Sequence, residues 1–311
     1  MKKPRILVGA TSIVFFIIIW KLYGIESVSG VEELKQELEY QENINRFPLS
    51  LERIVNPVTI YCVTPTYWRL VQKAELIQVL QTLTLASFKV NIKWIVIEDS
   101  EQKTSLVTNL LKRIDDAGDS RLSYVHLNAK TPPFQQLKAK DPRWKKHRGV
   151  EQRNAALKWI RENIKPHGSK KIIFFMDDDN TYDVRLFEEI AKVDKVGVWP
   201  VGLVGGLNLE TPIVDPKTGE VLKFKSGWQS KRVFSLDMAA FGINIELILN
   251  KTITVFSYRS EVGYLENDFL SELIEKRQLE PLANNCTKVY VWHTRTMNPE
   301  ALKKIELHDE E

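Results

Sequence analysis

The chain is poor in residues that cross-link or stiffen it, with 2 Cys, 13 Pro and 14 Gly among 311 positions. Two cysteines cannot build a disulfide scaffold, and Pro and Gly at this level exclude collagen and low-complexity disorder. Cys62 and Cys286 stand far apart, and Cys62 lies in an apolar strand pattern that fits a buried free thiol. A dominant charge is missing as well. Lys plus Arg number 44 against 40 Asp plus Glu, and the surplus of +4 is too small for a polybasic nucleic-acid binder. No internal repeat is present. No apolar run is followed by Gly-x-Gly-x-x-Gly or Gly-x-x-x-x-Gly-Lys, which disfavours dinucleotide binding through such a turn and P-loop chemistry. Long uncharged apolar runs are rare too, and one opens the chain.

Ile6 to Trp20 carries no charge, follows Lys2, Lys3 and Arg5, and continues past Lys21 to Leu22, Tyr23 and Ile25. Residues 6–25 are long enough for a helix that spans a bilayer. The cations before them and Glu26, Glu32 and Glu33 after them place residues 1–5 in the cytosol and the bulk of the chain across the membrane. A cleaved signal peptide is the alternative, but the run is long for one and no small-x-small cleavage site follows it. A buried core helix fits poorly at an extreme terminus. Residues 26–56 read as a polar stem without cysteine, in which Val31, Leu34 and Leu38 keep a coiled-coil spacing too briefly to specify one. Residues 57–311 then form a lumenal domain, where the sequons at Asn250 and Asn285 become candidate glycosylation sites.

In that domain short apolar runs alternate with helical patterns. Strands are expected at Val58 to Cys62, Trp94 to Ile97, Leu122 to Leu127 and Ile172 to Met176, and helices at about 70–85, 104–114 and 150–163. Such alternation predicts βαβ units, an α/β class and a parallel sheet. Ligands bind such a sheet at the carboxyl ends of its strands. Those ends are Thr64 to Tyr67, Glu98 to Ser100, Asn128 to Lys130 and Asp177 to Asn180, all polar. Further on, Trp199 to Pro212 packs three glycines among apolar residues, Ser235 to Ile248 reads as a buried segment, and Val289 to Thr296 as a late strand.

Asp177-Asp178-Asp179-Asn180 is the sharpest local feature. Three adjacent carboxylates repel one another unless a cation or strong donors neutralise them, and a hard divalent metal is the economical partner. An acidic turn in which Asp179 or Asn180 caps the next helix is the plain alternative. Asp177-x-Asp179 fits a glycosyltransferase that holds a metal against a nucleotide-sugar diphosphate. Asp177-x-Asp179-x-Thr181 also fits a phosphohydrolase, although several strands precede it here where that motif ends the first. Arg148 and Arg153 stand near a helix start, with Lys138, Lys140, Arg143, Lys145 and Lys146 nearby. Together they form an electropositive rim suited to an anionic donor. Only Trp144 interleaves those cations, which disfavours nucleic acid.

Taken in order, Thr64-Pro65-Thr66-Tyr67, Ile97-Glu98-Asp99-Ser100, Arg148 to Asn154, Asp177 to Tyr182, Trp199 to Gly206, Leu265-Glu266-Asn267 and Asn284 to Thr296 resemble the animal β-1,3-glucuronyltransferases. The matches cover essentially the whole lumenal part. The resemblance implies a type II Golgi membrane enzyme of GT-A fold, with a Rossmann-like UDP-sugar half (57–182) and an acceptor half (183–311). It further implies Mn²⁺, UDP-glucuronate, a β-galactoside-terminated glycan acceptor and a homodimer. Pro65, Thr66, Tyr67 and Asp99 look like the uridine pocket and Arg148 like a nucleotide contact. Arg153 looks like the clamp on the glucuronate carboxylate. Asp177 and Asp178 would touch donor sugar and ribose, Asp179 the metal, and His293 and Arg295 the diphosphate or donor sugar. Glu266 resembles the general base, where its position alone reads as an acid at a helix N-terminus. Glu210, Trp228, Arg232 and Asp237 look like the acceptor wall. Trp228, Arg232 and the Gly-Leu-Val-Gly-Gly-Leu run look closest to the branch that acts on Gal-Gal-Xyl. Transfer to N-acetyllactosamine termini is the neighbouring alternative, and a catalytically silent glycan-binding protein is the alternative outside enzymes.

Overall fold

The computed structural model describes residues 58–297 apart from 119, 120, 139, 167 and 295. The expected anchor and stem lie outside the described residues, among which no helix is long and apolar enough to cross a membrane. The first half runs β1 (Thr59–Thr66), α1 (Gln72–Ala86), β2 (Asn91–Glu98), α2 (Ser105–Ala117), β3 (Leu122–Asn128), α3 (Val150–Asn163) and β4 (Lys171–Phe175). After it come β5 (Thr181–Tyr182), α4 (Arg185–Ile190), β6 (Val196–Val198), β7 (Val201–Val204), β8 (Leu207–Val214) and β9 (Val221–Lys225). The described part ends with β10 (Phe241–Asn244), α5 (Ile245–Asn250), α6 (Leu265–Leu273), β11 (Leu279–Pro281) and β12 (Val291–Trp292).

A seven-stranded sheet has the order β11-β6-β10-β4-β1-β2-β3. β1 to β4 are mutually parallel, whereas β10 runs antiparallel to both β4 and β6. The expected α/β alternation is therefore present, and strands from both halves of the chain share one sheet. β1 is central, and burial on both faces explains why Ile60, Cys62 and Val63 read as an unbroken apolar run. The helices cover the sheet with stripes at helical spacing. α2 buries Val107, Leu110, Leu111 and Ile114, each worth roughly 1.5–3 kcal/mol relative to exposure. Thr104 caps its start and Gly118, at φ +65°, ends it.

Three boundaries differ from those expected. The parallel register continues through Thr64↔Val96, Pro65↔Ile97 and Thr66↔Glu98, so the polar residues read as strand ends are still strand. Ser235 to Ile248 breaks into a 3₁₀ turn (Met238–Ala240), β10 and α5, because Asp237 and Asn244 each accept the backbone N–H two residues on and restart the chain as caps. The late strand shrinks to Val291–Trp292. That strand joins the second sheet, β5-β12-β7-β8-β9, where the Trp292 ring lies over Gly202 with no room for a side chain on that glycine. Both cysteines are buried free thiols, and burial pushes both upward, Cys286 to about 12.

One aromatic cluster ties α6 to the end of β4. Phe269 of α6 stacks on Phe256 at 4.1 Å between centroids, and both meet Phe175 edge-on at 5.9 and 5.1 Å. Phe175 is the last residue of β4, so α6 is tied through Phe269 to the strand end that the aspartates follow.

Candidate active site

At the carboxyl end of β4 two of the three aspartates meet guanidinium groups from different elements. Arg153, in the first turns of α3, donates from Nη2 to Asp177 Oδ1 at 2.6 Å and from Nη1 to the Arg148 carbonyl at 3.0 Å. Gly149 makes this possible. It sits at φ +73°, and a Cβ there would lie 2.2 Å from Arg153 Nη1. Arg69 Nη2 lies 2.7 Å from Asp178 Oδ1 and also pairs with Glu75 Oε2 on α1. Burial pushes the Asp178 carboxyl up to about 6 against the pull of Arg69. Asp178 Oδ2 and Glu75 Oε1 are buried with no hydrogen-bond partner among the described residues.

Asp179 is half-buried, and its carbonyl accepts from Thr294 Oγ1 at 2.9 Å. Neither Asp179 nor Asn180 caps a helix, since β5 intervenes and the N-cap of α4 is Val184, with no side-chain cap. The plain capping alternative is thereby overturned. The Thr181 hydroxyl pairs with Thr294 Oγ1 at 2.9 Å. Among the described residues no three His, Cys, Asp or Glu side chains form a cage. The donors at hand are carboxylate oxygens, and Asp177 and Asp178 are already matched by arginines. Such oxygen donors suit a hard divalent ion, which Asp179 would hold.

The expected nucleotide pocket lies at the ends of β1 and β2. Tyr67 follows β1 and is 42% exposed, with the Arg69 guanidinium 4.6 Å above its ring. Asp99 accepts from Thr131 twice, N–H to Oδ1 and Oγ1 to Oδ2, both at 2.7 Å. Its own N–H donates to the Thr66 carbonyl at 2.7 Å. Pro65 is half-buried in β1, Thr66 is buried and accepts from Gln72 Nε2 at 3.0 Å, and Arg148 is exposed. Arg295 lies outside the described residues.

Facing the aspartates is a second acidic group. Glu266 occupies the first turn of α6, and its side chain is 18% exposed. Burial, with Asp237 adding to it and Arg232 and Arg153 opposing, pushes its carboxyl up to about 7. Desolvation therefore outweighs the helix dipole, which would favour the anion. Arg232 Nη1 stands 3.8 Å from Glu266 Oε2. Arg232 is fixed by donating to the carbonyls of Gln229, Gly263 and Trp228 at 3.1, 2.7 and 3.0 Å. Asp237 Oδ2 lies 3.6 Å from His293 Nδ1. Burial raises Asp237, Asp177 and Glu210 raise it further, and His293 opposes them. Glu210 Oε1 accepts from Ser226 Oγ and the Gly227 N–H at 2.7 and 2.9 Å. Asp177, Arg153, Glu210, Arg232, Asp237, Glu266 and His293 thus belong to one electrostatically coupled site.

Sequence reasoning missed Arg69 and Glu75, whose pairing crosses a strand-to-helix turn without periodic signal. It also gave no role to Trp144, whose ring centroid lies 6.5 Å from that of Trp228. The sequon residues Asn250 and Asn285 are exposed. Asn285 lies in a left-handed turn in which Ala283, Asn284, Asn285 and Cys286 all hold φ between +52° and +58°.

The sequence matches the family model of Glycosyltransferase family 43 over residues 79–297. The Caenorhabditis elegans galactosylgalactosylxylosylprotein 3-beta-glucuronosyltransferase sqv-8 is 44% identical over 283 residues, covering 90% of this chain and 76% of the relative. The Drosophila melanogaster galactosylgalactosylxylosylprotein 3-beta-glucuronosyltransferase I is 48% identical over 240 residues, 76% of each chain. Among solved structures, Staphylococcus aureus TarS 1–349 aligns with 76% of this chain and 60% of its own at 14% identity and a TM-score of 0.46. The strand order described above, independent of that likeness, defines the architecture.

Proposed function

The chain belongs to glycosyltransferase family 43 and is a glucuronosyltransferase, from which we propose that it moves glucuronate from UDP-glucuronate to the 3-hydroxyl of the terminal β-galactose of Gal-Gal-Xyl. It does so with inversion, on a GT-A fold, with Mn²⁺ as cofactor. The observation that carries this reading is Glu266, a largely buried carboxylate poised near neutrality beside Arg232 and across from the Arg153–Asp177 pair.

An α-linked UDP-sugar that becomes a β-linked product needs in-line attack. Glu266 accepts the acceptor hydroxyl proton as the oxygen bonds to the anomeric carbon, and the bond to UDP breaks with its electron pair leaving on the diphosphate. A base near pH 7 is half ionised where it works, which favours proton transfer in the transition state. When bound to Asp179, Mn²⁺ supplies positive charge to the departing diphosphate. We assign His293 and Arg295 to contacts with the diphosphate or donor sugar. Arg153 keeps Asp177 and offers its buried, unpartnered Nε to the glucuronate carboxylate, so a neutral glucose forgoes a charge-assisted hydrogen bond there. Tyr67 stacks on the uracil, Pro65, Thr66 and Asp99 complete the uridine pocket, and Arg148 contacts the nucleotide. Glu210, Trp228, Arg232 and Asp237 wall the acceptor. Residues 6–25 anchor the chain in the Golgi membrane as a type II protein, the catalytic domain lumenal and homodimeric.

The test is a donor and acceptor matrix with the purified chain. UDP-glucuronate and UDP-glucose are each offered with Gal-Gal-Xyl, N-acetyllactosamine and a model phosphoester, with and without Mn²⁺. Glucuronate transfer to Gal-Gal-Xyl that EDTA removes and Mn²⁺ restores is expected. Absence of transfer to every galactoside sinks the proposal.

A further inference from the structure

Arg69 lies in the turn between β1 and α1, and its side chain is largely buried while its neighbours Trp68 and Leu70 are exposed. A cation taken in between two apolar residues left out reverses the usual preference of each. The contacts that the guanidinium makes account for the reversal.

Arg69 Nη1 donates to the Tyr67 carbonyl at 3.1 Å, and the guanidinium carbon stands 4.6 Å from the centroid of the Tyr67 ring. Nη2 lies 2.7 Å from Asp178 Oδ1 and pairs with Glu75 Oε2. The Glu75 and Asp178 side chains are 2% and 7% exposed, so these are desolvated contacts and not a surface ion pair. The Arg69 carbonyl accepts the Gln72 N–H at 3.0 Å, which fixes the turn from which the side chain departs. The end of β1, the first turn of α1 and the end of β4 thus meet on one side chain.

Each partner keeps something in reserve. Asp178 gives Oδ1 to Arg69, while its Oδ2 is buried with no hydrogen-bond partner among the described residues. A buried acceptor left open costs free energy until a donor arrives, and a ligand hydroxyl is such a donor. Tyr67, with the guanidinium over its ring, is still 42% exposed and retains area for a flat group. Only arginine can lie over a ring and fork to carboxylates at once, because its charge is spread over a plane of donors.

We propose that Arg69 is a positioning residue for the nucleoside of the donor. It holds the Tyr67 ring and the Asp178 carboxylate at a set separation, so that a base on the first and a ribose hydroxyl on the second are recognised as one rigid unit. The inference rests on the donor reading given above, with Tyr67 against the uracil and Asp178 against the ribose.

The experiment titrates UDP and 2′,3′-dideoxy-UDP calorimetrically into the full chain with Mn²⁺ and compares the ratio of their dissociation constants. It does so in the wild type, in Arg69→Lys, and in the double variant Arg69→Gln with Glu75→Gln, which removes one cation and one anion together. The wild type is expected to prefer UDP by about tenfold, the scale of one hydrogen bond to a charged group. Both variants are expected to shrink that preference to about threefold or less, because a lysine point charge or a neutral amide no longer aims the carboxylate. A merely structural defect would weaken both nucleotides alike and leave the ratio in place. The kcat/KM for UDP-glucuronate should fall in parallel while the KM for acceptor holds. An unchanged ratio in either variant, its folding checked by urea midpoint, overturns the positioning role alone. A wild type that binds UDP without preference over the dideoxy analogue overturns the ribose reading of Asp178 together with this inference, and one that binds no UDP overturns the proposed function as well.

Discussion

Arg153 Nη2 lies 2.6 Å from Asp177 Oδ1, joining the first turns of α3 to the end of β4 across the middle of the site. The arginine side chain is 6% exposed and the aspartate 28%, so the cation is the more deeply committed partner. Its remaining hydrogen-bonding capacity is what an anionic donor sugar would use.

Arg153→Gln is expected to lower kcat/KM for UDP-glucuronate about a hundredfold, the scale of truncating a buried charge pair, while UDP alone still binds. Discrimination against UDP-glucose should collapse in the same variant. Steady-state kinetics with both donors and calorimetric titration of UDP check these outcomes.

With Glu266 as the proposed base, its carboxyl would set the pH dependence. With its carboxyl near 7 it is a base only when ionised, so kcat/KM should rise with pH and level off above about 7. Glu266→Gln should remove at least about a hundredfold of the rate while sparing UDP binding. Asp237→Asn, which deletes a negative charge that pushes Glu266 upward, should move the acid limb to lower pH. The linkage to stability has the opposite sense. A carboxyl raised from 4.5 to about 7 on folding contributes stability at low pH that is lost as pH rises through that interval. Urea unfolding should therefore show Glu266→Gln gaining on the wild type between those two values.

Arg69→Ala leaves Glu75 and Asp178 facing each other as buried anions. A loss of about 3 kcal/mol is expected, readable as a shifted urea midpoint. Adding Glu75→Gln in the same chain removes one of the two anions and should recover part of it.

Gly263→Ala tests the seat of Trp228. The substituted residue would be strained at φ +87°, costing about 1–3 kcal/mol, and its Cβ would push the indole aside. The KM for acceptor should rise, with the KM for UDP-glucuronate near its wild-type value.

The first half of the fold was legible because its signals are local and regular. Apolar runs such as Ile172 to Met176 mark central strands, and Val107, Leu110, Leu111 and Ile114 mark a helix face. The Asp177 to Asp179 triplet announced itself by composition. The second half follows weaker rules. Asp237 and Asn244 are capping residues inside an apolar stretch, readable as such only once the chain is known to turn there. The left-handed turn at Ala283 to Cys286 contains no glycine to flag it, and β12 is two residues long. Arg69 with Asp178, and Trp144 with Trp228, join positions remote in sequence, and no spacing encodes such pairs.

Gly149 places the Arg153 guanidinium by what it leaves out. Its hydrogen occupies a point that any β-carbon would contest with a guanidinium nitrogen, on a backbone that L residues already avoid. A codon change at 149 thus reaches the same chemistry as one at 153 without altering any charged group. Variants there should look like donor-selectivity mutants in kinetics, although the substituted residue need never touch a sugar.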